Sequence, residues 1–289
     1  MTPITILLLG SLVVLLATAT AGIALAVVVP RPAPLPATGP SLSPEADAPR
    51  RGARWMLGAV ALAFVLLVVA VAWRTILVGH APWSNLHEFS IAFAAALLGS
   101  YLAVARTTPI AGLAPVVALL GAALLGVAIA LPDRIDPLVP ALQQPLLLTV
   151  HVGTAVGAYA LAGVAFAAAA AEIGQRAAGD RIGLLPSASV ARAVGHRAVL
   201  LAFPVLTVAI VLGAVWANLA WRAPWSNDPK ELAAAATWVV FGAYLHVAGR
   251  RDRWSAAAPW LIVLGFAAVL FTYIGAGLFI VGEHSYGQP

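Results

Sequence analysis

Eight long apolar runs, separated by short polar or proline-rich connections, leave this chain of 289 residues few folds to choose from. They cover residues 4–29, 55–78, 89–104, 110–131, 145–171, 198–217, 232–247 and 256–281. A helix needs roughly 20 apolar residues to cross the hydrocarbon layer, and inside lipid every backbone polar group must find its partner within the protein. The expected architecture is therefore all-α: a polytopic transmembrane helix bundle of about eight spans. The third and seventh runs are short, so each must draw flanking residues into its helix. With 62% hydrophobic and only 9% charged residues, an ordinary soluble globule is excluded.

Charge placement orients the bundle. Lys and Arg accumulate in cytoplasmic loops. If the connection 30–54 is inside, twelve of the sixteen basic residues fall on that side, and only Arg74, Arg134, Arg222 and Lys230 fall on the other. An eight-span chain with both termini on the extracytoplasmic side is expected. The net charge of +5 comes from arginines scattered between apolar runs, not from a patch, so no nucleic-acid partner is expected. Three parts follow: an N-terminal transmembrane helix over 1–29, a Pro-rich cytoplasmic linker over 30–54, and a membrane domain over 55–289. The small residues at 17–22 offer a cleavage site, but no basic residue precedes the first run, which reads as a retained span. A second cytoplasmic connection is expected over 172–197. The chain has no cysteine, hence no disulfide, no thiolate ligand and no redox thiol.

The chemistry concentrates between the sixth and seventh runs. Residues 216–231 read Trp-Ala-Asn-Leu-Ala-Trp-Arg-Ala-Pro-Trp-Ser-Asn-Asp-Pro-Lys-Glu, an external loop rich in tryptophan. Trp216, Trp221 and Trp225 are spaced by five and four, which puts them on no single helical stripe. Trp55, Trp73, Trp254 and Trp260 suit an ordinary interfacial belt. Asp228-Pro229-Lys230-Glu231 reads as a helix start, with Asp228 as N-cap, Pro229 at the first helical position and Glu231 as capping-box partner. Asn85 and Glu88 repeat that logic, and Ala-Pro-Trp-Ser-Asn itself occurs twice, at 81–85 and 223–227.

The orientation places His151 at the outer start of the fifth run and His284 just past the outer end of the eighth, on the same face as the loop. His246 lies within the seventh run near its cytoplasmic end, where an ionisable residue is a functional candidate. His80, His87 and His196 read as hydrogen-bonded or solvated interfacial residues. Neutral imidazoles offer a nitrogen to iron, and two of them fill both axial positions of a haem. Tryptophan rings cover a porphyrin face, and Arg222 and Lys230 suit its propionates.

These residues resemble the CcsA/ResC family of cytochrome c biogenesis proteins. The family's tryptophan-rich loop ends in Trp-Asp-Pro-Lys-Glu, is followed by a helix ending in Tyr-Leu-His, and has a C-terminal Leu-His-Ser-Tyr. Here the matching residues are Trp216-Ala217, Ala220-Trp221, Trp225, Asp228-Pro229-Lys230-Glu231, Thr237-Trp238, Tyr244-Leu245-His246 and His284-Ser285-Tyr286-Gly287. His151-Val152 with Tyr159, and Asn85 with Glu88, also fall where the family has them, so the resemblance runs from about residue 55 to the end.

The resemblance implies that His151 and His284 are axial ligands of haem b at the loop. It implies that His246 serves a second haem position in the membrane. The implied partners are a CcsB/ResB-type membrane protein, apocytochrome c and thiol-reducing thioredoxin-like proteins. Together they form a haem ligase, a cytochrome c synthase in the bacterial inner membrane that joins haem to a Cys-X-X-Cys-His motif. A CcmC-like subunit that hands haem to a chaperone without ligating it is the alternative. A transporter with incidental histidines would need inverted repeats or mid-membrane charge pairs, and the sequence displays neither. Three positions depart from the family: Asn227 replaces a Trp, Arg222 a Gly, and Glu283 an apolar residue.

Overall fold

The computed structural model describes residues 2–28, 44–135, 145–248, 254–276, 280 and 282. Among them eight helices are long and apolar enough to cross a membrane. They are α1 (Pro3–Val28), α2 (Pro44–Val78), α3 (Leu86–Ala105), α4 (Ala114–Ala130), α5 (Pro145–Ala177), α6 (Ala188–Trp221), α7 (Pro229–Ala248) and α8 (Trp254–Leu270). A 3₁₀ turn, Ala111–Leu113, leads into α4, and a π turn, Phe271–Gly275, ends α8.

The two short apolar runs do recruit their flanks: α3 and α7 are each 20 residues long. Caps do the extending. Asn85 accepts a hydrogen bond from the Glu88 N–H at 2.9 Å, and Asp228 accepts one from the Lys230 N–H at 2.9 Å, which satisfies donors that a helix start leaves open. Three boundaries differ from expectation because helices continue past the apolar stretches. The backbone of α2 is helical from Pro44, inside the segment read as linker. The connection after α5 shrinks to residues 178–187. There the fully buried Gln175 amide donates to the carbonyls of Ile182, Leu185 and Pro186 and accepts from the Ile182 N–H.

Helix α5 is the axis of the bundle, packing on α3, α6 and α8, while α1 lies against α2 and α4. Its sequence explains its place. Ala158, Ala162, Ala165, Ala168 and Ala169 are buried, and small side chains let helix backbones approach closely where lipid offers no hydrophobic drive. One end of the bundle is knit by a buried ion pair. The Arg74 Nε donates to Glu88 at 2.8 Å, and its other nitrogens donate to the carbonyls of Asp133 and Arg134. This joins the end of α2, the start of α3 and the segment after α4. The tryptophan-rich segment, from the last turn of α6 to the first of α7, lies between spans that run in opposite directions.

Candidate functional site

The histidine at the start of α5 and the tryptophans at the end of α6 come together. His151 Nδ1 lies 2.9 Å from the carbonyl oxygen of Ala209 on α6. A carbonyl only accepts, so Nδ1 carries the proton and Nε2 carries the lone pair, the arrangement seen in metal-binding histidines. The imidazole is nearly parallel to the indole of Trp216, with centroids 6.1 Å apart and 10° between planes. Trp221 meets Trp216 edge-on at 4.8 Å. Leu148 and Trp216 form a small buried cluster of their own, with Leu147, Val152, Ala220 and Trp221 against it. This cluster fixes α5 against α6 at the site.

Two of the three tryptophans are therefore helical, not in a loop. Helix α6 continues through Trp221, and Arg222 closes it in the left-handed conformation at φ 59. Trp216 is buried and Trp225 is exposed. The expectation of a cluster wholly in the loop is corrected: Trp216 and Trp221 both belong to α6, and their spacing of five turns them to different sides of it, so the lack of a shared stripe is compatible with helix.

Beyond Arg222 the chain makes a tight turn. Asn227, also left-handed at φ 60, accepts a hydrogen bond from the Trp225 indole at 2.9 Å. The Glu231 carboxylate receives the N–H of Ser226 at 2.9 Å and that of Asp228 at 3.1 Å, so the expected capping box is formed. Asp228 is buried. Lys230 stands in the first turn of α7, partly exposed, and Arg222 is exposed. At the first Ala-Pro-Trp-Ser-Asn the same latch recurs: Glu88 accepts from the Ser84 N–H at 2.9 Å and its hydroxyl at 2.7 Å. The repeated pentapeptide is thus a repeated structural device, a tryptophan turn clasped by a glutamate of the following helix.

The C-terminal segment reaches this turn. At Gly282 a Cβ would lie 2.3 Å from Asp228 Oδ2 and 2.7 Å from Pro229, so only glycine permits this approach. His284 lies outside the described residues. His246 is at the other end of α7, in its last turn and exposed on the flank of the bundle. At about 1.5 Å per residue it is about 27 Å from the Asp228 cap, close to a bilayer's apolar thickness. The structure therefore separates His246 from the site of His151 and Trp216.

His80 and His87 bond to the carbonyls of Ala81 and Ala128, and His196 to the Tyr244 hydroxyl, so all three are hydrogen-bonded, as expected. Sequence reasoning missed Ala209, whose carbonyl orients His151, and the role of Arg74. A contact between helices leaves no local signal for the first. For the second, an arginine within the last turns of an apolar run was the only hint.

A family model described as cytochrome C assembly protein matches residues 83–284. The chain belongs to that family. Among its relatives is a cytochrome c biogenesis protein CcsA of Parasynechococcus marenigrum (strain WH8102), 35% identical over 262 residues, covering 79% of this chain and 85% of that protein. Another CcsA, from Synechococcus sp. (strain CC9605), is 34% identical over 272 residues, covering 82% and 88%. Over a shorter stretch of 95 residues, identity reaches 47% with CcsA of Thermosynechococcus vestitus, 32% of this chain and 30% of that one. A solved structure of the cytochrome c haem lyase CcmF superposes with a TM-score of 0.66 at 21% identity. It shares the fold over 94% of this family member, which spans about half, 47%, of the CcmF chain. This is a multi-pass membrane protein of the cytochrome c assembly family.

Proposed function

We propose that this chain is the membrane subunit of a cytochrome c synthase, which carries haem across the bilayer and presents it at the tryptophan turn on the extracytoplasmic face. The observation that carries the reading is the seating of His151. Its Nδ1–H is committed to the Ala209 carbonyl and its ring lies parallel to Trp216, so a coordinating Nε2 is set beside an aromatic wall. His284 supplies the opposite axial bond, two residues beyond Gly282, which packs on Asp228. Trp216, Trp221 and Trp225 border the porphyrin, and Arg222 and Lys230 meet its propionates. Asp228 acts by capping α7 and holding this turn in shape.

His246, exposed near the opposite membrane face, contributes one ligand of the second haem position, and a CcsB/ResB-type partner supplies the other. Each thiol of the apocytochrome then adds across a haem vinyl group. A sulfur–carbon bond forms, the thiol hydrogen passes to the terminal vinyl carbon, and no net oxidation occurs. The chain needs no cysteine because the substrate brings both thiols, kept reduced by thioredoxin-like proteins. The setting is the bacterial inner membrane.

The test is the visible spectrum of the detergent-purified chain, with and without a CcsB-type partner, for wild type, His151→Ala and His284→Ala. Sharp low-spin haem bands in the wild type, lost or broadened in both variants along with cytochrome c maturation, are expected. Full maturation in both variants sinks the axial assignment. Bound haem with no thioether formed on an apocytochrome reporter would point instead to handover to a chaperone.

A further inference from the structure

Helix α6 offers the His151 ring a seat made of one small stripe. Ala209, Gly213 and Trp216 are four and three residues apart, so they share one face of the helix. The first supplies the carbonyl that binds Nδ1, and the last supplies the parallel indole. Between them, a Cβ built on Gly213 would lie 2.7 Å from His151 Cε1, 3.3 Å from Nδ1 and 3.5 Å from Nε2. The imidazole thus lies across the space that any other side chain would occupy. Glycine is a poor helix former, and inside a helix of 34 residues it calls for a packing reason. This contact is that reason.

We infer that Gly213 is a positioning residue for haem coordination: its missing side chain sets the direction in which His151 Nε2 points. The inference rests on the reading of His151 as an axial ligand. The atoms that a new methyl group would strike are the end of a side chain with two rotatable bonds, not helix backbone. Gly213→Ala therefore swings the ring aside while the helices stay in place. The ring then loses its bond to the Ala209 carbonyl and its alignment with Trp216, and an iron atom held between two axial nitrogens loses one good ligand direction. Partners that orient a metal-binding histidine are typically worth about 10–100-fold in affinity, and Gly213 acts at the same level as the Ala209 carbonyl.

The experiment uses the full chain, co-expressed with a CcsB-type partner and loaded with haem, as wild type, His151→Ala, Gly213→Ala, His151→Gly and His151→Gly/Gly213→Ala. Gly213→Ala is expected to broaden the low-spin bands and retain haem about 10–100-fold less tightly at equal protein level. In the haem-free chain it lowers the melting temperature when His151 is present. In the His151→Gly background, with no ring to strike, the same change raises it through better helix propensity. If Gly213→Ala alone accumulates poorly, recovery in the double variant supports the contact, and failure in both overturns it. An altered spectrum in His151→Ala with an unaltered one in Gly213→Ala overturns this inference alone. An unaltered spectrum in His151→Ala overturns the ligand reading beneath it.

Discussion

The imidazole of His151 lies parallel to the indole of Trp216, 6.1 Å between centroids and 10° between planes. At that separation parallel rings are laterally offset, within the range where aromatic pairs attract. Trp216 is itself braced edge-on by Trp221 and buried, so it cannot turn away without emptying the small cluster around Leu148. Trp216→Phe is expected to preserve the stacking and most bound haem. Trp216→Leu keeps much of the volume but no aromatic face, and should broaden the haem bands in a chain that still folds. Equal spectra for the two variants would remove the indole from the haem site.

Asp228 separates capping from ligation. Its carboxylate accepts from the Lys230 N–H at 2.9 Å, while Glu231 reaches back to the Asp228 N–H at 3.1 Å. Asn caps about as well as Asp, whereas Ala costs about 0.5–2 kcal/mol. Asp228→Asn should therefore leave protein level and thermal stability near wild type, with Asp228→Ala lower in both. Stable Asp228→Asn protein without haem would assign the carboxylate charge to the ligand itself.

The eight spans and the starts of α3 and α7 were legible from the sequence, because apolar length and capping residues are local signals. Neighbours along the chain, Asn85 with Glu88 and Asp228 with Glu231, announce a helix start wherever the rest of the protein lies. The parts that stayed hidden are long-range. Counting charges places Arg74 near a membrane surface, but only the packed bundle brings Glu88 and the carbonyls of residues 133 and 134 to it. Gly213 looks like any glycine in an apolar run until α5 lays a histidine across it. The helical state of Trp216 and Trp221 stayed hidden because a spacing of five sets them on different sides of one helix, where they share no stripe.

Arg222 holds a conformation that suits glycine. It closes α6 at φ 59 and ψ 22, where an L-residue with a Cβ costs about 1–2 kcal/mol. Arg222→Gly is expected to raise thermal stability slightly. If the guanidinium binds a propionate, the same change weakens haem retention, most clearly at low salt. Opposite signs in melting temperature and haem occupancy would mark Arg222 as kept for its charge. A gain in both would deny it that role.

The Arg74–Glu88 pair should dominate the stability of the bundle end it joins. Both side chains are almost wholly buried, 4% and 1% exposed, and removing one partner of a buried pair typically costs about 3–5 kcal/mol because the other charge is stranded. Arg74→Met also abandons the carbonyls of Asp133 and Arg134. Glu88→Gln retains an oxygen for the Ser84 donors. The expected order of thermal stability is wild type, Glu88→Gln, then Arg74→Met. A double variant milder than Arg74→Met alone would confirm that the stranded carboxylate carries much of the cost.

His246 offers the opposite pattern, an exposed side chain without structural weight. It lies in the last turn of α7 with its side chain exposed on the flank, and substitutions at such positions usually change stability by less than about 0.5 kcal/mol. His246→Ala should leave the melting temperature of the purified chain unchanged. Its effect should emerge only with the partner present, as loss of the haem signal attributed to the membrane position, followed by loss of haem at His151. His151→Ala should act in the reverse sense, sparing the membrane signal, because about 27 Å of helix lies between the His246 end of α7 and the Asp228 cap. If His246→Ala and His151→Ala deplete the same single haem species equally, the two-position model fails, and the exposed histidine has to be explained by packing against another protein.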